Sequence, residues 1–312
     1  MNVTFRQLQL FLALTETRSI TGVARRLHVS QPTVSMQLRE LAESVGLPLY
    51  EITSKRLALT AAGEELARSA RAMVGEWSAF EQRIAEMRGL TRGQLRVSVV
   101  STAKYFIPRL LGAFCREYPE IEVSLEVLNR EGIVNRLRGN LDDCYVMSMP
   151  PFDLDVEKRI FMANPLVVIA PSGHRLARNR RVELQQLAQE RFILRERGSG
   201  TRLACDAFFA AQDFKPTVRL ELGSNEAIKQ SVAGGMGLSV ISLHALGEHY
   251  AADSLTVLNV DGFPIHSNWY SVTLLGKRPS PPAAAFLEYL ASHAGDVTPG
   301  KKVPAKPLPR SR

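Results

Sequence analysis

SITGVARRLHVSQPTVSMQLRE, residues 19–40, is the stretch on which the fold turns. Ser19 is placed to cap a short helix whose Ile20, Val23, Ala24 and Leu27 face inward. His28-Val29 makes a tight turn, and Ser30-Gln31-Pro32 opens a second helix. Proline fits there because the first helical turn has no partner for its missing N–H. Val34, Leu38 and Leu41 follow at i, i+4 and i+7, so one stripe of that helix is buried. Gln31, Thr33, Ser35, Met36, Gln37 and Arg39 are left off the stripe, mostly short or polar and mostly uncharged. Two short helices across a tight turn, the second rich in groups that suit base edges, give a helix-turn-helix by spacing. Glutamine can bond an adenine edge with both ends of its amide, and the carbons of Pro32 and Met36 can pack on thymine methyls. Thr33, Ser35 and the basic Arg25, Arg26, Lys55 and Arg56 suit phosphate oxygens, which hold a reader in register. The predicted DNA-contacting set is Arg25, Ser30, Gln31, Pro32, Thr33, Ser35, Met36, Arg39, Lys55 and Arg56.

Outward from this pair, Phe5, Leu8, Leu10, Phe11 and Leu14 predict a preceding helix. Beyond Gly46, Leu49–Leu59 reads as a hairpin with Lys55-Arg56 at its tip. From Ala62 to Gly89 the period changes. Leu66, Ala70, Met73, Trp77, Phe80, Ile84 and Met87 alternate spacings of four and three, a heptad seam for coiled-coil packing. The chain offers no second helix of this kind, so the expected partner is the same helix of another copy. This seam decides between a DNA reader and a purely structural bundle with a solvated third helix, because readers of this kind work as dimers.

Composition bounds the rest. The 312 residues suggest two or three domains, and no apolar run is long enough for a transmembrane helix. Three widely spaced cysteines without a CxxC argue for a reducing, cytoplasmic setting, as does an N-terminus unlike a signal peptide. The formal charge of +8 is uneven: residues 1–92 hold twelve Lys and Arg against nine Asp and Glu, and 93–296 balance twenty-two against twenty-two. Segment 297–312 holds five basic residues, no acidic ones and four prolines, and is expected to be a disordered basic tail. Any polyanion must therefore meet the head or the tail.

After Gly93 strands and helices alternate. Leu95, Val97 and Val99 predict a strand, with Ser101 capping a helix toward Tyr118. Ile121, Val123, Leu125 and Val127 predict another strand, and Leu166–Ala170 and Phe192–Leu194 read as strands covered on both faces. The expectation is an α/β region with mostly parallel sheets and a ligand near helix N-termini. Three such helix starts carry anion-binding groups: Ser101, Thr102 and Lys104; Arg195, Arg197, Ser199, Gly200, Thr201 and Arg202; and Ser224-Asn225. Each of these hydroxyls and amides alone is equally suited to plain capping, and Glu196 and Glu226 are placed to neutralise the arginines. No metal-ligand spacing, GxSxG, Walker loop or HExxH is present, so neither a metal cofactor nor an enzyme is expected.

The residues also resemble a family. SITGVARRLHVSQPTVSMQLRELAESVGLPLYEITSKRLALTAAG at 19–63, PLVVIAPSGHRLA at 165–177 and VAGGMGLSVIS at 232–242 resemble the LysR-type transcriptional regulators across nearly the whole chain. That resemblance implies an α+β multidomain protein. It would comprise a winged helix-turn-helix (1–61), a dimerising linker helix (62–91) and a two-lobed effector domain resembling periplasmic binding proteins (92–296). Lobe I would take about 92–163 and 267–296, and lobe II about 164–266. It implies a homodimer or homotetramer on promoter DNA, with RNA polymerase as a further partner and no membrane. Three departures stand out: Met36 and Ile52 where many members carry Arg, and Ser242 where proline is usual.

Within the family, STAKYFIPRLLGAFCREYPEIEVSLEVLNREGIVNRL, MSMPP, FILRERGSGTR and LELGSNEAIKQSVAGG are similar to regulators of carbon-fixation (RuBisCO) operons. This implies an effector that is a phosphorylated sugar or acid, or NADPH, and Asn129, Arg130 and Ser148 complete the expected effector set. The competing readings are a LysR-type regulator of another pathway with a carboxylate or aromatic effector, and a small-molecule binding protein without a regulatory role. A redox pair of Cys144 and Cys205 is a further alternative, set against their apolar neighbours.

Overall fold

The computed structural model describes residues 2–53, 56–87, 93–247 and 250–297. Lys55 and segment 298–312 of the basic tail lie outside the described residues. The chain divides into two compact units, one built on the N-terminal helices and one on the alternating strands and helices that follow.

In the first unit, α1 (Phe5–Thr17) begins at a reciprocal cap between Thr4 and Gln7. Ser19 Oγ accepts from the Gly22 N–H at 3.2 Å and starts α2 (Ile20–Arg26). His28 then takes a left-handed turn at φ 52°, and Ser30 Oγ accepts from the Thr33 N–H at 3.3 Å to start α3 (Gln31–Val45). Gly46, at φ 79°, ends that helix in the left-handed conformation that suits glycine. β1 (Tyr50–Thr53) and β2 (Arg56–Leu59) pair antiparallel as the wing. α4 (Ala61–Met87) follows directly. A Cβ on Gly63 would lie 1.9 Å from the Leu49 carbonyl oxygen, so glycine is needed where α4 leaves the wing. Leu10, Phe11, Leu14, Val23, Val34, Leu38, Leu41 and Leu49 form the buried core. Each such side chain contributes roughly 1.5–3 kcal/mol on burial.

The heptad seam divides in two. Ala70 is fully buried within the chain, and Leu66 packs part of its side chain on the core of its own head. Met73, Trp77 and Phe80 remain 56%, 50% and 45% exposed, with Phe5 of α1 beside Trp77 at 5.8 Å between ring centroids. Leu66 is half-buried against that core, and the strongly exposed part of the seam begins at Met73. Ile84 is half-buried and continues it, while Met87 is the last residue of the helix.

The second unit holds two lobes. β3 (Gly93–Val100) leads through a 3-10 turn, Ser101–Tyr105, into α5 (Ile107–Glu117). β4 (Ile121–Leu128), α6 (Arg130–Arg138), β5 (Cys144–Met147) and β6 (Val156–Ala163) follow. The chain then crosses to lobe II: β7 (Leu166–Pro171), β8 (Arg191–Arg195), α7 (Gly200–Ala211), β9 (Thr217–Leu222) and α8 (Asn225–Ala233). β10 (Ser239–Ser242), α9 (Leu243–Leu246) and β11 (Leu255–Leu258) complete it. β12 (Asn268–Leu274) and α10 (Pro281–His293) return to lobe I.

Lobe I is a five-stranded sheet in the order β4-β3-β5-β12-β6, around Leu95, Val97, Phe114, Ile133, Val146 and Trp269. Lobe II has a three-stranded sheet, β10-β7-β11, and a parallel pair, β8-β9, with one bridge from Phe192 to Leu238 between them. The sheets are mixed rather than mostly parallel. β3 pairs parallel with β4 and β5, but β12 runs antiparallel to β5 and β6, and β7 antiparallel to β10 and β11. The returning β12 causes this in lobe I, a long-range crossover that local periodicity does not reveal. Ser101 does not cap a long helix either: the 3-10 turn intervenes, no side chain caps it, and α5 starts afresh at Ile107.

Candidate functional site

Arg195, at the C-terminal end of β8, is 2% exposed and points across to lobe I. Its Nε and Nη2 donate to the two carboxylate oxygens of Glu196 at 2.8 and 2.9 Å. Nη1 donates to Thr102 Oγ1 at 3.3 Å and to Asn225 Oδ1 at 3.2 Å, and Nη2 reaches Ser101 Oγ at 3.2 Å. A guanidinium has five N–H groups, and these five bonds account for them. Asn225 Nδ2 closes the ring by donating to Thr102 Oγ1 at 3.2 Å. Four sequence-predicted residues, Ser101, Thr102, Arg195 and Asn225, are thus brought together between the lobes.

A second contact runs beside the first. Lys104 Nζ donates to Glu226 Oε2 at 2.9 Å, and the Tyr105 hydroxyl donates to Glu226 Oε1. Lys104 and Lys229 place their ammonium groups 5.2 and 5.5 Å from the Tyr105 ring centroid, within cation–π reach. Burial disfavours the charged carboxylate of Glu226, but the Tyr105 and Lys104 bonds prevail and hold its pKa down to about 2.

The other expected effector residues have local partners. Ser199 Oγ caps α7 by accepting from the Arg202 N–H at 3.0 Å. Arg202 Nε donates to Asp206 at 2.9 Å, and its Nη1 donates to Glu221 and to the Arg195 carbonyl oxygen, both at 2.9 Å. Its guanidinium is thus paired within lobe II and bonded to the Arg195 backbone. Arg197 is exposed, and Asn129 Oδ1 caps α6 at the Gly132 N–H. Arg130 Nε donates to the Met149 carbonyl oxygen at 2.6 Å. Ser148 and Thr201 are buried, and Gly200 sits where a Cβ would come 2.8 Å from Ser148 Oγ.

On the head, Arg25, Ser30, Gln31, Pro32, Thr33, Met36 and Arg39 are exposed and Ser35 is half-buried. They share the outward side of α2 and α3, opposite buried Val34, Leu38 and Leu41. Arg26 is ion-paired with Glu16 and so is less free for phosphate than Arg25. Lys55 lies outside the described residues, and Arg56 begins β2.

Comparison with known proteins fits this geometry. The family model for the bacterial regulatory helix-turn-helix protein, lysR family, matches residues 5–64, and that for the LysR substrate binding domain matches 88–295. The chain belongs to the LysR family. The HTH-type transcriptional activator CmpR of Synechocystis is 42% identical over 292 residues, covering 94% of this chain and 96% of that protein. The RuBisCO operon transcriptional regulator of Acidithiobacillus ferrooxidans is 42% identical over 308 residues, covering 99% of each. The solved regulatory domain of Synechocystis CcmR, in complex with 2-PG, is 51% identical with a TM-score of 0.62, covering 64% of this chain and 96% of that one. This LysR protein is a DNA-binding transcriptional regulator.

Sequence reasoning missed Tyr105 and Lys229 of this regulator's cleft, and it gave Glu226 no more than a neutralising role. The 3-10 turn turns Tyr105 toward lobe II, and an assumed α-helix from Ser101 hides that. Ser242, the departure without an evident consequence, donates to Asn164 Oδ1 at 2.6 Å and caps α9 at the His244 N–H. The redox alternative loses its geometry. Cys144 lies in the core of lobe I and Cys205 in that of lobe II. Burial raises both thiols, Cys144 to about 12, which keeps them unreactive.

Proposed function

We propose that this LysR regulator controls carbon-fixation genes, the RuBisCO operon among them, in response to a small phosphorylated anion bound between its two effector lobes. The observation that carries the reading is the buried Arg195, held from lobe II against Ser101 and Thr102 of lobe I. A buried guanidinium among hydroxyls and helix starts is chemistry that suits a phosphate, which exchanges for those bonds without leaving the charge unpaired. The 42% identity to CmpR and to a RuBisCO operon regulator, and 51% to a regulatory domain in complex with 2-PG, support the same class of effector. A phosphorylated sugar or acid, or NADPH, is the expected ligand; no further cofactor is called for.

In this reading Gln31, Pro32 and Met36 meet base edges, while Arg25, Ser30, Thr33, Ser35, Arg39, Lys55 and Arg56 hold phosphates. The exposed seam of α4 joins two copies, and a homotetramer sets four heads on one cytoplasmic promoter, where RNA polymerase is recruited. Domains divide near 61 and 91, with the tail from 297. The effector acts by binding one arrangement of the lobes better than another, which is what any ligand-driven shift requires. It is not an enzyme in this reading.

Calorimetric titration with ribulose bisphosphate, phosphoglycolate, NADPH and benzoate tests it. Saturable binding of a phosphorylated compound without binding of benzoate is expected. Binding of benzoate alone would move the regulator to another pathway with a carboxylate or aromatic effector.

A further inference from the structure

Two cations of the cleft, Arg195 and Lys104, each already hold a carboxylate. Arg195 is matched by Glu196, its neighbour in sequence and in the same lobe. Lys104 is matched by Glu226, which belongs to the other lobe. The second pair differs from the first in two ways that matter. It is half-exposed, with side-chain exposures of 39% and 48%, so an incoming ligand can reach it. It also ties the lobes, because Lys104 and Tyr105 sit on the turn after β3 while Glu226 sits in the first turn of α8.

We propose that Glu226 is a built-in competitor of the effector: its carboxylate occupies Lys104 and Tyr105, and an anion gains Lys104 only by displacing it. The proposal rests on the reading that the cleft takes a small anion. Displacement has the same cost for every ligand, whereas the return depends on ligand charge. A monocarboxylate replaces one carboxylate by another and gains little. A phosphate brings close to two charges and three acceptor oxygens, and so recovers the loss. Glu226 therefore sets a threshold that singly charged metabolites fall below. It also links binding to movement, since releasing Glu226 removes one tie between α8 and the turn of lobe I and leaves the Asn225–Thr102 bond beside it. Lys229, on the same face of α8, stays beside the Tyr105 ring and adds positive charge there once Glu226 has left.

The test is calorimetric titration of the full-length protein and its Glu226→Gln variant with 2-phosphoglycolate and with glycolate. Glutamine keeps the shape and removes the charge, so both probes are expected to tighten about tenfold, bringing glycolate into the measurable range. Tyr105→Phe, which loosens the carboxylate without touching a cation, is expected to tighten 2-phosphoglycolate by a smaller factor. If wild type binds 2-phosphoglycolate and Glu226→Gln binds it equally or more weakly, Glu226 is no competitor and the inference is overturned. If neither protein binds either probe, the anion reading of the cleft falls and takes the inference with it.

Discussion

The head and the effector domain spend their polar side chains in opposite directions. On α3, Gln31, Thr33, Met36 and Arg39 point outward from a fully apolar stripe. In the cleft, Arg195, Thr102 and Asn225 point inward and are bonded to one another. Outward groups make few bonds of their own, such as Thr33 Oγ1 with Ser30 Oγ at 2.7 Å, and stay exposed to a partner. Inward groups are part of the fold, and a ligand has to compete with them. Mutations should therefore separate: those in the head change binding alone, and those in the effector domain change stability as well.

The strongest challenge to that division is Asp142 in lobe I. It is buried, accepts from Arg136 Nε and Nη2 at 2.8 and 2.7 Å, and accepts from Ser98 Oγ at 2.7 Å. Asp142→Ala strands the Arg136 charge and the Ser98 hydroxyl, and should cost about 3–4 kcal/mol. Urea unfolding of the variant checks this. A loss below 1 kcal/mol would mean that the inward network is not part of the fold's stability.

Next in size is the exposed part of the seam. Trp77 is half-exposed between Phe5 and Phe80, an aromatic anchor of the kind that dominates interfaces. Trp77→Ala should weaken self-association by about 2–3 kcal/mol, roughly a hundredfold, without lowering the stability of the head. Sedimentation against concentration reads the first and thermal unfolding the second. Unchanged association would place the dimer contact elsewhere.

Within the head, base readers and phosphate holders should part company. Gln31→Ala is expected to cost about 1–3 kcal/mol on the operator and almost nothing on random DNA. Arg25→Ala and Lys55→Ala should weaken both alike and flatten the salt dependence by about one unit of slope. Titrating each variant on both DNAs at several salt concentrations decides it, and equal losses on both for Gln31→Ala would remove it from base readout.

This opposition also explains what could be read from the sequence. The head was legible because its signals are local: Ser19 and Ser30 cap within three residues, and Val34, Leu38 and Leu41 mark one face within two turns. The seam was half legible. Its period is right, but whether Ala70 meets its own head or another copy depends on where α1 lies. The cleft gave up its members one by one and not their partners. Arg195 meets Ser101 from 94 positions away, and Tyr105 meets Glu226 from 121, so no window of sequence holds both ends. Arg202 differs, because its partners lie only 4 and 19 positions away. Beside a glycine-rich turn it reads as an anion ligand, yet Asp206 and Glu221 claim it.

The smallest effect is the most informative about the cleft. A Cβ on Gly200 would come 2.8 Å from Ser148 Oγ, so the N-terminus of α7 in lobe II approaches lobe I as closely as glycine allows. Gly200→Ala should cost about 1 kcal/mol of effector affinity, because a serine hydroxyl can swing aside for part of the overlap. Adding Ser148→Ala removes the obstructing oxygen, and the double variant should recover most of that loss. The cycle turns the contact into a measured coupling between lobes. If the two substitutions simply add, Gly200 is constrained within lobe II alone, and the lobes meet through Arg195, Asn225 and Glu226 without it.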